Sequence, residues 1–340
     1  MNNKMIDLEI KEELMIHIAN TLPFVAKGSF LTSQYHKDPQ ARLLNGGDID
    51  LIYYGSACTI QKPDVFDYDS YHQFIRKIET LLKHELTDIF YKLEEIMTRK
   101  LELTERPEFI LEFEELGYDR VFKESNDICI FLVNYAADGD FTTVGLEICD
   151  RKLYVEIDIA IDMPIHFQPE TISYKTMTGK KVTLKNTTPL IYQTAWKVHQ
   201  ILVRPRLKDL DDVIQFLPHI DFEDRHNFEL FFDEIISECE LTDRKTCEKL
   251  LNTLKMLFLK RDIAQSFIVG NMVNDGDKTQ YYSRLYGIYY NVEKLKGEVC
   301  SSFLKALYSR IDCDAALQYI NRHGNHDCNM QYKCLSPKSV

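Results

Sequence analysis

Apolar and polar positions in the first half of the chain shift between helical and strand periods. From Ile6 to Leu22 the residues Ile6, Leu8, Ile10, Leu14, Ile16, Ile18 and Leu22 mix both spacings, but the length and the Glu-Lys content favour a helix, which Pro23 ends. Phe24 to Ala26 is a short apolar stretch that stops at Gly28-Ser29. Ile49 to Tyr54 is a β-branched and aromatic run, flanked by Asp48 and closed by Gly55. The order predicted here is strand, Gly-Ser turn, helix, strand. Between Asp69 and Thr104 apolar residues such as Phe74, Ile78, Leu82, Leu86, Ile89, Leu93 and Met97 recur at three and four, predicting one or two amphipathic helices that form an insertion.

Asp127 to Ala136 and Lys152 to Ile161 then read as strands. In the second, Leu153, Val155, Ile157, Ile159 and Ile161 alternate with Tyr154, Glu156, Asp158, Ala160 and Asp162, so one face is apolar and the other carries three carboxylates. Ser173 to Leu184 predicts a small hairpin turning at Thr178-Gly179-Lys180. Beyond Pro189 the spacing is helical in six stretches: Leu190 to Leu202, Leu210 to Phe216, Phe222 to Glu240, Arg244 to Asp262, Gln280 to Tyr290 and Val299 to Tyr319. The expected fold class is α/β (α+β): residues 1–185 form a core domain with a mixed sheet and a helical insertion at about 61–125, and residues 186–340 form a helical domain. The last fifteen residues read as a frayed end.

Composition narrows the function. The chain has 340 residues, 45% hydrophobic and 28% charged, enough to bury a core and too apolar for a disordered tail. Its formal charge of −12 argues against general DNA binding, because phosphate-backbone affinity needs clustered cations. A local basic patch can still grip a nucleotide or an RNA end. Nine dispersed cysteines without a C-x-x-C pair fit reduced thiols and a cytoplasmic location. The first thirteen residues carry no apolar signal-peptide core, and no run of 18 apolar residues is present to span a membrane.

The candidate chemistry begins at Lys27-Gly28-Ser29 and Asp48-Ile49-Asp50-Leu51. Aspartates at i and i+2 of a strand project to one face, where both carboxylates can hold a divalent metal. A Gly-Ser turn before a helix offers backbone N–H groups and a hydroxyl to phosphate oxygens. Asp158 would supply the third acidic ligand that a two-metal phosphoryl-transfer centre requires, if the strands are in register. A third cluster joins Trp196-Lys197 to Arg204, Arg206, Lys208, Asp209 and Asp212, and holds the densest basic patch in the chain. His323, His326, Cys328 and Cys334 match no tight zinc spacing, and the tyrosines from 281 to 290 fit helix packing better than base stacking.

In this order, Lys27-Gly28-Ser29, Asp48-Ile49-Asp50-Leu51, Asp158 to Ile165 and then Lys197 with Asp209 and Asp212, the chain resembles the AbiEii-like nucleotidyltransferases. These belong to the DNA polymerase β-type nucleotidyltransferase superfamily and include toxins of abortive-infection and toxin–antitoxin systems. The resemblance covers roughly residues 24–217. It implies a polymerase β-type core, Mg²⁺ or Mn²⁺ as cofactor and an NTP substrate whose NMP is transferred to an acceptor with release of pyrophosphate. By the same resemblance Asp48 and Asp50 are catalytic metal ligands, joined by Asp158. Gly28, Ser29 and Lys197 bind the NTP, and Asp209 orients Lys197 or accepts the acceptor's proton.

The acceptor implied is a tRNA 3′ end, reached through Arg204, Arg206 and Lys208; a protein hydroxyl, a small molecule such as an antibiotic, or a silent binding module held by an antitoxin partner are the alternatives. The chain departs from the family pattern at Gly46, where Ser is usual, and at Trp196, where Glu is usual.

Overall fold

The computed structural model describes residues 3–44, 47–54, 68–102, 124–125, 128–136, 142–150, 153–160, 165–273, 276–289 and 291–324. The chain divides into two compact units, residues 1–188 and 189–340. The division follows β8, the last strand of the first unit, whereas a boundary at 185 would cut that strand.

The first unit runs α1 (Asn3–Thr21), β1 (Phe24–Lys27), α2 (Ser29–Ser33), α3 (Pro39–Leu44), β2 (Ile49–Tyr53), α4 (Tyr68–Lys100), β3 (Glu124–Ser125), β4 (Ile128–Ala136), β5 (Thr142–Asp150), β6 (Leu153–Ala160), β7 (Glu170–Lys175) and β8 (Lys181–Thr187). Its strands form one eight-stranded mixed sheet in the order β3-β4-β5-β6-β2-β1-β8-β7. The β2·β6 and β1·β8 pairs are parallel and the other neighbours antiparallel. β5 is a strand that the sequence pattern left unassigned, and it carries the whole antiparallel bridge between β4 and β6.

One face of the sheet is apolar because the period of a strand sends alternate residues to the same side. Phe24, Ala26, Ile49, Leu51, Tyr53, Ile157 and Ile159 are buried there with Leu14, Ile18 and Ala19 of α1 and Ile89, Leu93 and Ile96 of α4. Within the insertion, residues 68–100 form one long helix, α4, that shares the core with α1. Polar contacts fasten the two helices: Lys100 pairs with Glu9 at 2.6 Å, Arg99 pairs with Glu13, and His17 Nε2 lies at hydrogen-bond distance, 2.9 Å, from Asp88 Oδ2. Glu12 of α1 accepts hydrogen bonds from Tyr174 Oη at 2.8 Å and the Met177 N–H at 2.9 Å, tying the β7–β8 hairpin to α1. The hairpin turns where expected, with Gly179 at a φ of 85° that favours glycine.

The second unit is helical: α5 (Leu190–Val203), α6 (Leu207–Phe216), α7 (Arg225–Glu240), α8 (Arg244–Leu259), α9 (Arg261–Asn271), α10 (Gly276–Leu285), α11 (Val292–Arg310) and α12 (Cys313–His323), with a 3₁₀ turn at Leu217–His219. Two stretches that periodicity joined are broken. Lys260 adopts extended backbone between α8 and α9, and Asp312 caps α12 by accepting from the Ala315 N–H at 2.9 Å. A local side chain–backbone bond of this kind competes with helix continuation, and hydrophobic period does not register it. The frayed end predicted for the last residues lies outside the described residues. Among the described residues no helix is long and apolar enough to cross a membrane.

Candidate active site

On the sheet face opposite the apolar core, polar residues of neighbouring strands fall into one row. Lys27 of β1 pairs in register with Asp50 of β2, Asp50 with Asp158 of β6, and Asp158 with Gly145 of β5. Residues in register on adjacent strands stand about 5 Å apart and project to the same side. Lys27, Asp50 and Asp158 thus form a charged line across three strands, and the glycine that follows adds no side chain. All three are partly exposed, whereas the next row along, Val25, Ile52 and Ala160, is buried.

The turn after β1 is built around that row. Gly28 has a φ of 78°, and a Cβ there would fall 1.9 Å from Asp50 Oδ2. Both the backbone angle and the closeness of the carboxylate require glycine. Ser29, next in the chain and buried, fixes the residue preceding β2: the Asp48 N–H donates to Ser29 Oγ at 3.2 Å, and Oγ donates to the Asp48 carbonyl at 3.3 Å. The hydroxyl that the sequence assigned to phosphate is thereby a brace for Asp48. The Asp48 side chain itself is 42% exposed.

Lys11 of α1 reaches the same residue from the other side. Its ammonium, on a side chain only 7% exposed, donates to the Gly47 carbonyl at 3.1 Å and lies 3.9 Å from Asp48 Oδ1. Asp7, one helical turn earlier, has a buried Oδ1 without a hydrogen-bond partner, and burial pushes its carboxyl up to about 6 although Lys11 pulls the other way. Sequence reasoning passed over both residues. The signal was the placing of Asp7 and Lys11 on the stripe of α1 that Leu14 and Ile18 continue, at helical spacing, where a charged side chain is out of pattern.

In the second unit, Lys197 of α5 lies 2.8 Å from Asp209 Oδ1 and 3.5 Å from Asp212 Oδ2, both on α6. Arg206, just before α6, donates to Asp209 Oδ2 at 2.6 Å and to Gln200 Oε1 at 3.2 Å. Asp209 and Asp212 are fully buried. Burial alone would raise the Asp209 carboxyl, yet the opposing charges of Lys197 and Arg206 hold it below its usual range. A carboxylate so stabilised in its charged form is a poor proton acceptor, which favours orienting Lys197 over base catalysis.

Arg206 is committed to Asp209, and of the three cations expected to form an RNA-binding patch only Arg204 is exposed, with Arg206 and Lys208 partly so. Trp196 Nε1 donates to Glu234 Oε1 of α7 at 2.7 Å, and burial pushes Glu234 up to about 7 despite that bond. On the next turn of α5, His199 Nδ1 is 3.7 Å from Glu238 Oε2, and burial drives the imidazole down to about 4.

The fold thus brings Lys27, Gly28, Ser29, Asp48, Asp50 and Asp158 together in the first unit, and Lys197, Arg206, Asp209 and Asp212 in the second. Glu156 shares the face of Asp158 by its place in β6, while Gly46 and Asp162, and of the weak metal-binding group His326, Cys328 and Cys334, lie outside the described residues. Among the described residues no three His, Cys, Asp or Glu side chains are gathered tightly enough to hold a metal ion as they stand. The donor chemistry of the first unit nonetheless fits a hard cation: carboxylate oxygens from Asp50 and Asp158 in register, with Asp48 beside them. No protein-family model, curated protein or solved structure matches the chain.

Proposed function

We propose that the protein is a metal-dependent nucleotidyltransferase that moves an NMP from an NTP to the terminal hydroxyl of an RNA, tRNA being the acceptor that the sequence resemblance implies, and that it acts as a growth-arresting toxin or phage-defence effector. The observation that carries this reading is the register of Asp50 with Asp158 next to Gly28. It places two carboxylates on one sheet face beside a turn that tolerates no side chain, an arrangement a folded core does not need for its own stability. Asp50 and Asp158, with Asp48, would hold Mg²⁺ or Mn²⁺, which would supply charge neutralisation to the triphosphate and lower the pKa of the attacking hydroxyl.

In the transfer, the acceptor oxygen bonds to the α-phosphorus, the bond from that phosphorus to the bridging oxygen breaks, and pyrophosphate leaves with the electron pair. The hydroxyl proton passes to solvent or to a carboxylate of the row. Lys27, on the row, would offset the charge of the triphosphate, and Lys197 is the cation that the sequence resemblance assigns to it. Asp209 positions Lys197, as the 2.8 Å ion pair supports. Arg204 is the exposed cation available to an RNA backbone.

The test is incubation of the full chain with each α-³²P-labelled NTP, Mg²⁺ or Mn²⁺, total RNA and total cell protein, with Asp50→Asn alongside. Label in a tRNA-sized band, lost in Asp50→Asn, is the expected result. Label in a protein band or a small molecule would replace the acceptor. No label from a folded protein would overturn the reading.

A further inference from the structure

Glycine weakens the interior of a strand, because it has no side chain to pack and loses the most backbone freedom on folding. Gly145 nevertheless stands near the middle of β5, and among the described residues it is the one glycine inside a strand. A β-bulge would account for it, but β5 pairs residue for residue with β4 from Thr142 to Asp150 and with β6 from Thr143 to Asp150, and neither ladder shifts register. The pairing therefore does not require glycine. A strand glycine of this kind marks a place where another group comes close to the backbone.

The position of Gly145 in the charged row indicates which group that is. Across the sheet the row runs Lys27, Asp50, Asp158, Gly145 and then Val133 of β4. Charge is thus ordered along it: a cation, two carboxylates, then two positions without charge. In phosphoryl transfer the attacking and leaving oxygens lie on opposite sides of the phosphorus. With the α-phosphorus held at Asp50 and Asp158 and pyrophosphate leaving toward Lys27, the attacking oxygen arrives from the Gly145 side. A side chain there would rise from the row one strand spacing, about 5 Å, from Asp158, in the path of that oxygen and its sugar.

We propose, resting on the metal-dependent reading above, that Gly145 is the floor of the acceptor subsite: its missing side chain admits the terminal ribose of the RNA acceptor beside Asp158, while the triphosphate lies toward Lys27. Gly145 offers no group to the reaction, so it determines which acceptor fits and takes no part in the chemistry.

The experiment compares the full chain as wild type, Gly145→Ala and Gly145→Val by the urea unfolding midpoint, by Mn²⁺ affinity read from the electron paramagnetic resonance of free Mn²⁺, and by steady-state transfer of labelled NMP to total tRNA. Both variants should unfold at a urea concentration no lower than wild type, because alanine and valine are better strand formers than glycine. Mn²⁺ affinity and the KM for NTP should stay within about twofold, while kcat/KM for tRNA falls about tenfold in Gly145→Ala and about a hundredfold in Gly145→Val, the order in which the side chain fills the seat.

A lowered midpoint in both variants would show that the glycine makes room for the fold, and wild-type transfer to tRNA in both would show that no acceptor passes over it; either result overturns the proposal. So would a rise in the KM for NTP as large as the loss toward tRNA, which would place the nucleotide over Gly145. In each of these cases labelling of tRNA by the wild type leaves the nucleotidyltransferase reading standing. Gly145→Ala decides the matter if Gly145→Val does not fold. Absence of label in tRNA from the wild type removes the acceptor reading and the inference together.

Discussion

Two groups of charged residues stand in contrast. In the first unit Lys27, Asp50 and Asp158 line a sheet face, partly exposed and held by strand register. In the second, Lys197, Arg206, Asp209 and Asp212 are knotted together, with both aspartates fully buried. The residue types are the same, but burial changes what each group does. A half-exposed carboxylate on a sheet costs the fold little and remains able to meet a ligand. A fully buried one must keep its cation, so the knot on α5 and α6 is a structural requirement first and a site for chemistry only through Lys197.

The contrast is broken most sharply by Lys197→Met. It removes the ammonium shared by the buried Asp209 and Asp212 carboxylates, and should lower unfolding free energy by about 3–5 kcal/mol in urea denaturation. The depressed Asp209 carboxyl gives the sign of the pH effect: its pair stabilises the fold above the ordinary aspartate range and is lost as pH falls below it. The wild-type second unit should therefore weaken in acid, and Lys197→Met should blunt that slope. A loss of under about 1 kcal/mol would mean that the knot is not structural.

A smaller effect is expected at Glu234. Its carboxyl is raised from 4.5 to about 7 by burial, so between those values the folded state holds a proton that the unfolded chain has released. Stability therefore falls as pH rises through that window, and the loss is complete above about 7. Glu234→Gln keeps an acceptor for Trp196 and removes the charge. It should gain about 2 kcal/mol at pH 8 relative to wild type and almost nothing at pH 4, as followed by the fluorescence of Trp196 during urea unfolding. Equal effects at both pH values would show that the carboxylate is not desolvated.

The smallest expected change in stability sharpens the comparison from the other side. Asp158→Asn, in the open row, should shift unfolding free energy by no more than about 0.5 kcal/mol, because it removes repulsion from Asp50 as well as any attraction to cations. NMP transfer should be lost all the same. Loss of stability comparable to that of Lys197→Met would move Asp158 from the site to the scaffold.

Local pattern made much of this legible. Alternation in Leu153 to Asp162 placed Asp158 on a polar face, Gly28 marked the turn, Thr178-Gly179-Lys180 marked the hairpin, and Ile191, Ala195, Val198 and Leu202 gave the buried side of α5. Each of these depends on residues within one element or one turn. The strand β5 does carry a strand period, Val144, Leu146 and Ile148 alternating with Thr143, Gly145 and Glu147, but the run is short and has Gly145, a weak strand former, at its centre. The breaks at Lys260 and Asp312 were hidden because hydrophobic spacing continues across them.

By itself the sequence determined which residues could share a face: Asp48 with Asp50 by the period of a strand, and Lys197 with the helix that presents it. It also determined that glycine would follow β1. Only the tertiary structure decided that Asp50 lies opposite Asp158, that Lys11 comes within 3.9 Å of Asp48, and that Arg206 turns inward to Asp209. The reason is that face and turn follow from covalent geometry repeated over a few residues, whereas register and ion pairing between distant elements follow from how the whole core closes, which no local period encodes.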